Sequence, residues 1–195
     1  MPNESTANTE NHFFYPPGGI LIWLIIVVEV ITFGLALTAM VASSAADPGI
    51  FHQARLQLNV NMGTANTLLL LFSGYLLAVA VHSVRNGNTN KGRRLITGSI
   101  VAGLLFVLIK SLEYNAKIND GHTLYENTFY TYYWLLTGFH LIHVVTGLVI
   151  LAVQRQLLGK AEGKLKMVDL EAGAAFWHMC DLIWLMIFPV IYLMF

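Results

Sequence analysis

The chain has 195 residues, of which 56% are hydrophobic and only 11% charged, with a mean hydropathy of +0.62; a soluble domain carries roughly a quarter charged residues, so this composition belongs in a membrane. Lysine plus arginine, 11, equal aspartate plus glutamate, 11, and that balance removes any electrostatic case for nucleic acid. The single cysteine, Cys180, excludes an internal disulfide framework and any multi-cysteine metal or iron–sulfur centre.

Residues 1–17 contain Glu4 and Glu10 but neither lysine nor arginine. They lack the basic start of a cleavable signal and are expected to remain as a short tail. Five apolar segments follow, at about 19–42, 61–84, 95–117, 128–154 and 170–195. Each has the roughly 20 residues that a helix needs to cross a bilayer, so the expected fold is an all-α bundle of five transmembrane helices, one domain over residues 18–195. Pro16-Pro17-Gly18 punctuates the entry to the first span, and Asp47-Pro48-Gly49 is expected to form a turn after it. The loop 85–94 holds Arg85, Lys91, Arg93 and Arg94, and the loop 155–166 holds Arg155, Lys160, Lys164 and Lys166. The opposite loops offer only Arg55 and Lys117, so the basic loops, and with them the N-terminus, are expected in the cytoplasm and the C-terminus outside. Ser99 and Gly103, and the run Ala172-Gly173-Ala174-Ala175, would let neighbouring helices approach closely.

Several ionisable residues fall inside these spans. Glu29 lies midway along the first, His140 and His143 are central in the fourth, Asp181 is near the middle of the fifth, and Lys110 with Glu113 lies toward the outer end of the third. A charge at the bilayer centre costs at least about 2.5–3.5 kcal/mol, so these groups face protein or water, or are neutral. Lys110 and Glu113 share a helix face and read as a local ion pair near the interface, with the lysine free to snorkel outward. His140 and His143 are open to two readings, as haem or metal ligands or as partners of carboxylates on other helices. Glu29 is either a proton-relay group or a buried structural carboxylate. His12, His52, His82 and His122 are expected to be solvated, and Tyr125, Phe129, Tyr130, Tyr132, Tyr133 and Trp134 to form an aromatic belt at the outer interface. In the last span Glu171, His178 and Asp181 form one polar stripe flanked by Trp177 and Trp184.

In their order, these pieces resemble the cytochrome c oxidase subunit III family of the haem-copper oxidases. The match rests on Glu29 with Phe33, on Glu113-Tyr114, on Thr137-Gly138-Phe139-His140-Leu141-Ile142-His143-Val144, and on Glu171-Ala172, Trp177-His178, Asp181 and Trp184. The resemblance spans about residues 18–195 and is similar to the short bacterial form, which lacks the first two of seven helices. It implies a multi-pass subunit of the bacterial cytoplasmic membrane without haem or copper of its own, those cofactors sitting in partner subunits. Its partners would be the catalytic subunit I, subunit II, phospholipid and a larger respiratory assembly. Glu29 matches the family's carbodiimide-reactive carboxylate, associated with proton uptake. Glu113, His140, His143, His178 and Asp181 are expected to form one polar network across the third, fourth and fifth spans. The competing expectations are an accessory subunit of a nitric oxide reductase, a stand-alone transporter and a haem-binding membrane cytochrome.

Overall fold

The computed structural model describes residues 16–159 and 165–195, so the expected tail up to residue 15, and Lys160 and Lys164 of the second basic loop, lie outside the described residues. The described chain runs through α1 (Ile20–Ser44), α2 (Pro48–Leu56), α3 (Val60–Arg85), α4 (Thr89–Asn119), α5 (Thr128–Leu157) and α6 (Met167–Tyr192). All but α2 are long and apolar enough to cross a membrane, so the five expected spans are present and this is a multi-pass membrane protein. Helices α3, α4 and α5 overrun their apolar segments because their caps lie beyond them, whereas α6 runs from Met167 and ends at Tyr192, short of residue 195. Asn59, Asn88 and Asn127 each accept a hydrogen bond from a backbone N–H of the first turn, starting α3, α4 and α5. Between α3 and α4 the chain turns at Gly87, whose φ of 80° is open to glycine at no steric cost. The 31 residues of α4 extend about 46 Å, which carries Lys91, Arg93 and Arg94 out to headgroup level.

The helix α2 is a departure from expectation. Asp47-Pro48-Gly49 starts a helix, because Pro48 sits at a first-turn position where its missing N–H leaves nothing unpaired. Phe51 and Ala54, three apart, face inward, and the Phe51 ring meets Phe129 and Phe195 at 5.6 and 5.1 Å. This helix seals one end of the bundle. Arg55 Nε donates to the Tyr192 carbonyl at the C-terminus of α6 (3.1 Å), Lys117 Nζ donates to the Gln57 carbonyl (2.8 Å), and Tyr130 Oη donates to Gln57 Oε1 (2.8 Å). The supposed aromatic belt is therefore largely interior: Tyr125 is 90% exposed, but Phe129, Tyr130 and Tyr133 are buried under α2 and its neighbours. His122 is likewise not solvated, since it stacks on Tyr130 at 4.5 Å and contacts Glu126 at 2.9 Å.

Helix α6 is the most buried span, touching α1, α3 and α5, whereas α1 buries only Phe33, Leu37 and Met40 and is the outermost span. Lipid tails are as apolar as leucine, so helices in a bilayer are held by close packing and hydrogen bonds rather than by hydrophobic exclusion. Trp177 shows both. Its indole lies between Gly103 of α4 and Gly147 of α5, where an added Cβ would come within 2.7 Å of the ring. Its Nε1 donates to Ser73 Oγ of α3 (3.0 Å), and Ser73 in turn meets Ser99 Oγ of α4 (2.8 Å). Ser99 and Gly103 thus serve a hydroxyl pair and an indole slot rather than a bare backbone contact.

Candidate functional site

The ionisable residues at membrane depth fall into three separate sets. The first joins α4, α5 and α6. Lys110 Nζ donates to Glu113 Oε2 (3.2 Å), to Tyr133 Oη (3.2 Å) and to Tyr192 Oη (2.7 Å). Tyr133 and Tyr192 then donate their own hydroxyl protons to Glu113 Oε1, at 2.8 and 2.6 Å. Every ammonium proton has an acceptor and both carboxylate oxygens are used, so the set closes on a charged lysine and a charged glutamate. Four rings surround the ammonium, Tyr133, Tyr114, Tyr192 and Trp184, at 4.7, 5.0, 5.4 and 5.6 Å. Lys110 is 0% exposed, so it does not snorkel to the interface as expected; its counter-ion and the aromatic rings hold it inside.

The second set joins α1 to α5. His143 Nδ1 lies 2.9 Å from the Phe139 carbonyl, which can only accept, so Nδ1 carries a proton. Its Nε2 faces Glu29 Oε1 at 3.4 Å. With Nδ1 already protonated, attraction across that contact requires one further proton, held either by the imidazole or by the carboxyl. This set is not sealed. The side chains of Glu29 and His143 are 22% and 13% exposed, and Glu29 sits on the outermost helix.

The third lies on α6. His178 and Asp181 contact each other at 3.3 Å, and Asp181 rests against the bare backbone of Gly74 on α3. A side chain at residue 74 would collide with the Asp181 carboxyl, which explains a glycine there. About two turns nearer the basic end than His178, Glu171 pairs with Arg85 of α3 at 2.6 Å.

The single network expected of Glu113, His140, His143, His178 and Asp181 is therefore not formed by direct hydrogen bonds among the described residues. Glu113 bonds to Lys110, Tyr133 and Tyr192; His143 faces Glu29; His178 and Asp181 bond to one another and lean on α3, not on α4 and α5. The physical reason is side-chain reach. Each carboxylate takes the nearest donors, and the long Lys110 and tyrosine side chains arrive first. His140 is fully buried against Trp184, ring to ring at 5.3 Å, and edge-on to Phe106 at 5.9 Å. Residues that sequence reasoning passed over are Thr67, Ser73 and Gly74 of α3. Thr67 accepts from Trp184 Nε1 (2.9 Å) as Ser73 accepts from Trp177, so both indoles of α6 are anchored on one helix. The signal was present in part, in that Thr67 and Gly74 are seven apart and share a face, while Ser73 lies on the adjoining one.

A cleft of about 480 Å³ opens between α1, α3 and α6, walled by Trp23, Ile26, Val81, Met179 and Leu182, with Arg85 at its mouth.

Comparison with known proteins assigns residues 20–194 to the family described as Cytochrome c oxidase subunit III. The chain belongs to that family. Among curated relatives, the probable cytochrome c oxidase subunit 3 of Mycobacterium leprae (strain TN) is 28% identical over 89% of this chain and 85% of its own length. The cytochrome c oxidase subunit 3 proteins of Prototheca wickerhamii and Rattus norvegicus are each 35% identical over 65% of this chain. Against those two longer relatives the aligned region covers 48% of their length, so the chain spans about half of them. The subunit III match takes in all three polar sets and every helix of the described fold.

Proposed function

We propose that this chain is subunit III of a respiratory terminal oxidase of the cytochrome c oxidase type. It packs against the catalytic subunit I in a bacterial cytoplasmic membrane, beside subunit II and within a larger respiratory assembly. It holds no haem or copper itself, steadies subunit I and supports proton uptake while dioxygen is reduced to water. The observation that carries this reading is the family match along nearly the whole chain, together with near full-length correspondence to a bacterial relative. The geometry is in keeping with it. The Glu29–His143 pair sets a carboxyl of the outermost helix against an imidazole and stays partly exposed, which supports a proton-collecting role. His143 spends Nδ1 on a backbone carbonyl and turns Nε2 to a carboxylate, while His140 is enclosed by Trp184 and Phe106, so the two imidazoles do not face a common centre.

Arg85, Lys91, Arg93, Arg94 and Arg155 all lie at one end of the bundle, which supports placing that end in the cytoplasm. The apolar walls of the cleft support a bound phospholipid acyl chain there, with Arg85 and its partner Glu171 both on the lining.

Purification of the tagged chain in mild detergent tests the assignment. Recovery with a haem-bearing oxidase subunit I is expected. Recovery with nitric oxide reductase subunits would move the chain to that complex, and recovery alone, with charge movement in vesicles, would make it a transporter. Replacing Glu29 by alanine is expected to leave assembly intact while shortening the active lifetime of the oxidase or lowering its proton yield.

A further inference from the structure

Asn66 of α3 and His140 of α5 are both 0% exposed, and neither the amide oxygen and nitrogen of Asn66 nor either ring nitrogen of His140 has a hydrogen-bond partner among the described residues. Leaving buried polar groups unpaired is costly, about 1–3 kcal/mol each, and native proteins rarely leave two such side chains together. The two are at the same depth. The Ser73–Ser99 bond fixes the register of the antiparallel helices α3 and α4, which sets Asn66, seven residues before Ser73, opposite Phe106, seven after Ser99. Phe106 is edge-on to His140 at 5.9 Å and to Trp184 at 5.0 Å, and Trp184 bonds to Thr67, the neighbour of Asn66.

The polar groups around them are already committed. Thr67 Oγ1 donates to the Gly63 carbonyl and accepts from Trp184, and the Lys110 ammonium, itself against the Trp184 ring, has spent all its protons on Glu113, Tyr133 and Tyr192. Among the described residues, neither the Thr67 hydroxyl nor the Lys110 ammonium is left to serve the amide or the imidazole. Their needs do match those of water. Asn66 offers donors and an acceptor, neutral His140 one donor and one acceptor, and a water has two of each. One water also spans about 4.5 Å between the atoms it bridges, two bonds of about 2.8 Å meeting at a near-tetrahedral angle.

We infer that the bundle holds a resident internal water site between α3, α4, α5 and α6, at the level of Phe106 and Trp184, with Asn66 and His140 as its protein ligands. Such a site lets two polar side chains persist in an otherwise dry interior, and it sets a hydrated point one ring away from the Lys110 ammonium.

Hydroxyl-radical footprinting of the full chain, in the complex with which it purifies, tests this directly, because radicals formed from a bound water oxidise side chains that bulk solvent does not reach. Oxidation of His140 and Trp184 well above that of buried Trp177, falling several-fold on Asn66→Leu, is expected. Oxidation at the Trp177 level in the unaltered protein would overturn the site. Should Asn66→Leu not assemble, an electron-microscopic map of the unaltered complex that resolves water decides the matter. Density within hydrogen-bond distance of both residues supports the site, and a direct Asn66–His140 bond with no density between them refutes it.

Discussion

The Lys110–Glu113 pair and the Glu29–His143 pair both set charge-bearing groups at membrane depth, yet they are built on opposite terms. The first is closed: two tyrosine hydroxyls complete the coordination of both ions, and four aromatic rings exclude everything else. The second is incomplete. It has one contact of 3.4 Å, leaves Glu29 Oε2 without a partner among the described residues, and keeps part of its surface open. A sealed pair has nowhere to send a proton and serves as a lock between helices. An open pair with a single long contact is a poor lock between helices. Depth in the membrane therefore says little about what an ionisable group does; the completeness of its hydrogen bonding says more.

That contrast can be broken most forcefully at Glu113. Glu113→Leu strands the Lys110 ammonium in a dry interior, and a loss of about 3–5 kcal/mol is expected, seen as a collapse in complex recovery or thermal stability in detergent. Adding Lys110→Met to that variant should restore most of it. If the single variant were as stable as the parent, the two charges would not be coupled. A smaller loss, about 1–3 kcal/mol, is expected for Tyr192→Phe, which takes one acceptor from Lys110 and one donor from Glu113; double-mutant cycles with Glu113→Leu would show strong non-additivity.

On the open side the expected stability changes are smaller and the functional ones larger. Glu29→Gln should cost about 0.5–1.5 kcal/mol, since only one long contact is weakened, while the turnover lifetime or proton yield of the oxidase drops. Equal thermal losses for Glu29→Gln and Glu113→Leu would erase the distinction between the pairs. The least effect is expected at Arg85→Ala. The Arg85 side chain is 60% exposed, so water and salt screen its 2.6 Å contact with Glu171, and about 0.2–1 kcal/mol, diminishing further at high ionic strength, should be measured by thermal melts.

Much of the fold was legible because bilayer physics acts on local composition. A run of about 20 apolar residues has to be a spanning helix whatever surrounds it, so α1, α3, α4, α5 and α6 were readable one by one. Helix α2 was not, since nine residues with Pro48 and Gly49 at their head look like a turn until Phe51 finds Phe129 and Phe195 to pack on. The Lys110–Glu113 pair followed from a three-residue spacing on one helix. Its tyrosine ligands did not, because Tyr133 and Tyr192 lie 20 and 79 residues from Glu113 and only the packing of three helices brings them together.

The stripe Glu171, His178 and Asp181 shows the same division. Its alignment along one face of α6 follows from helical periodicity alone. Which helix it would meet could not follow from periodicity. Gly74 supplies the hollow for Asp181 and Arg85 the charge for Glu171, and both belong to α3. Sequence by itself determined the number of long helices and the family, since these depend on neighbours along the chain. Tertiary structure alone decided the partners, because a buried polar side chain bonds to whatever donor or acceptor reaches it first across a helix interface.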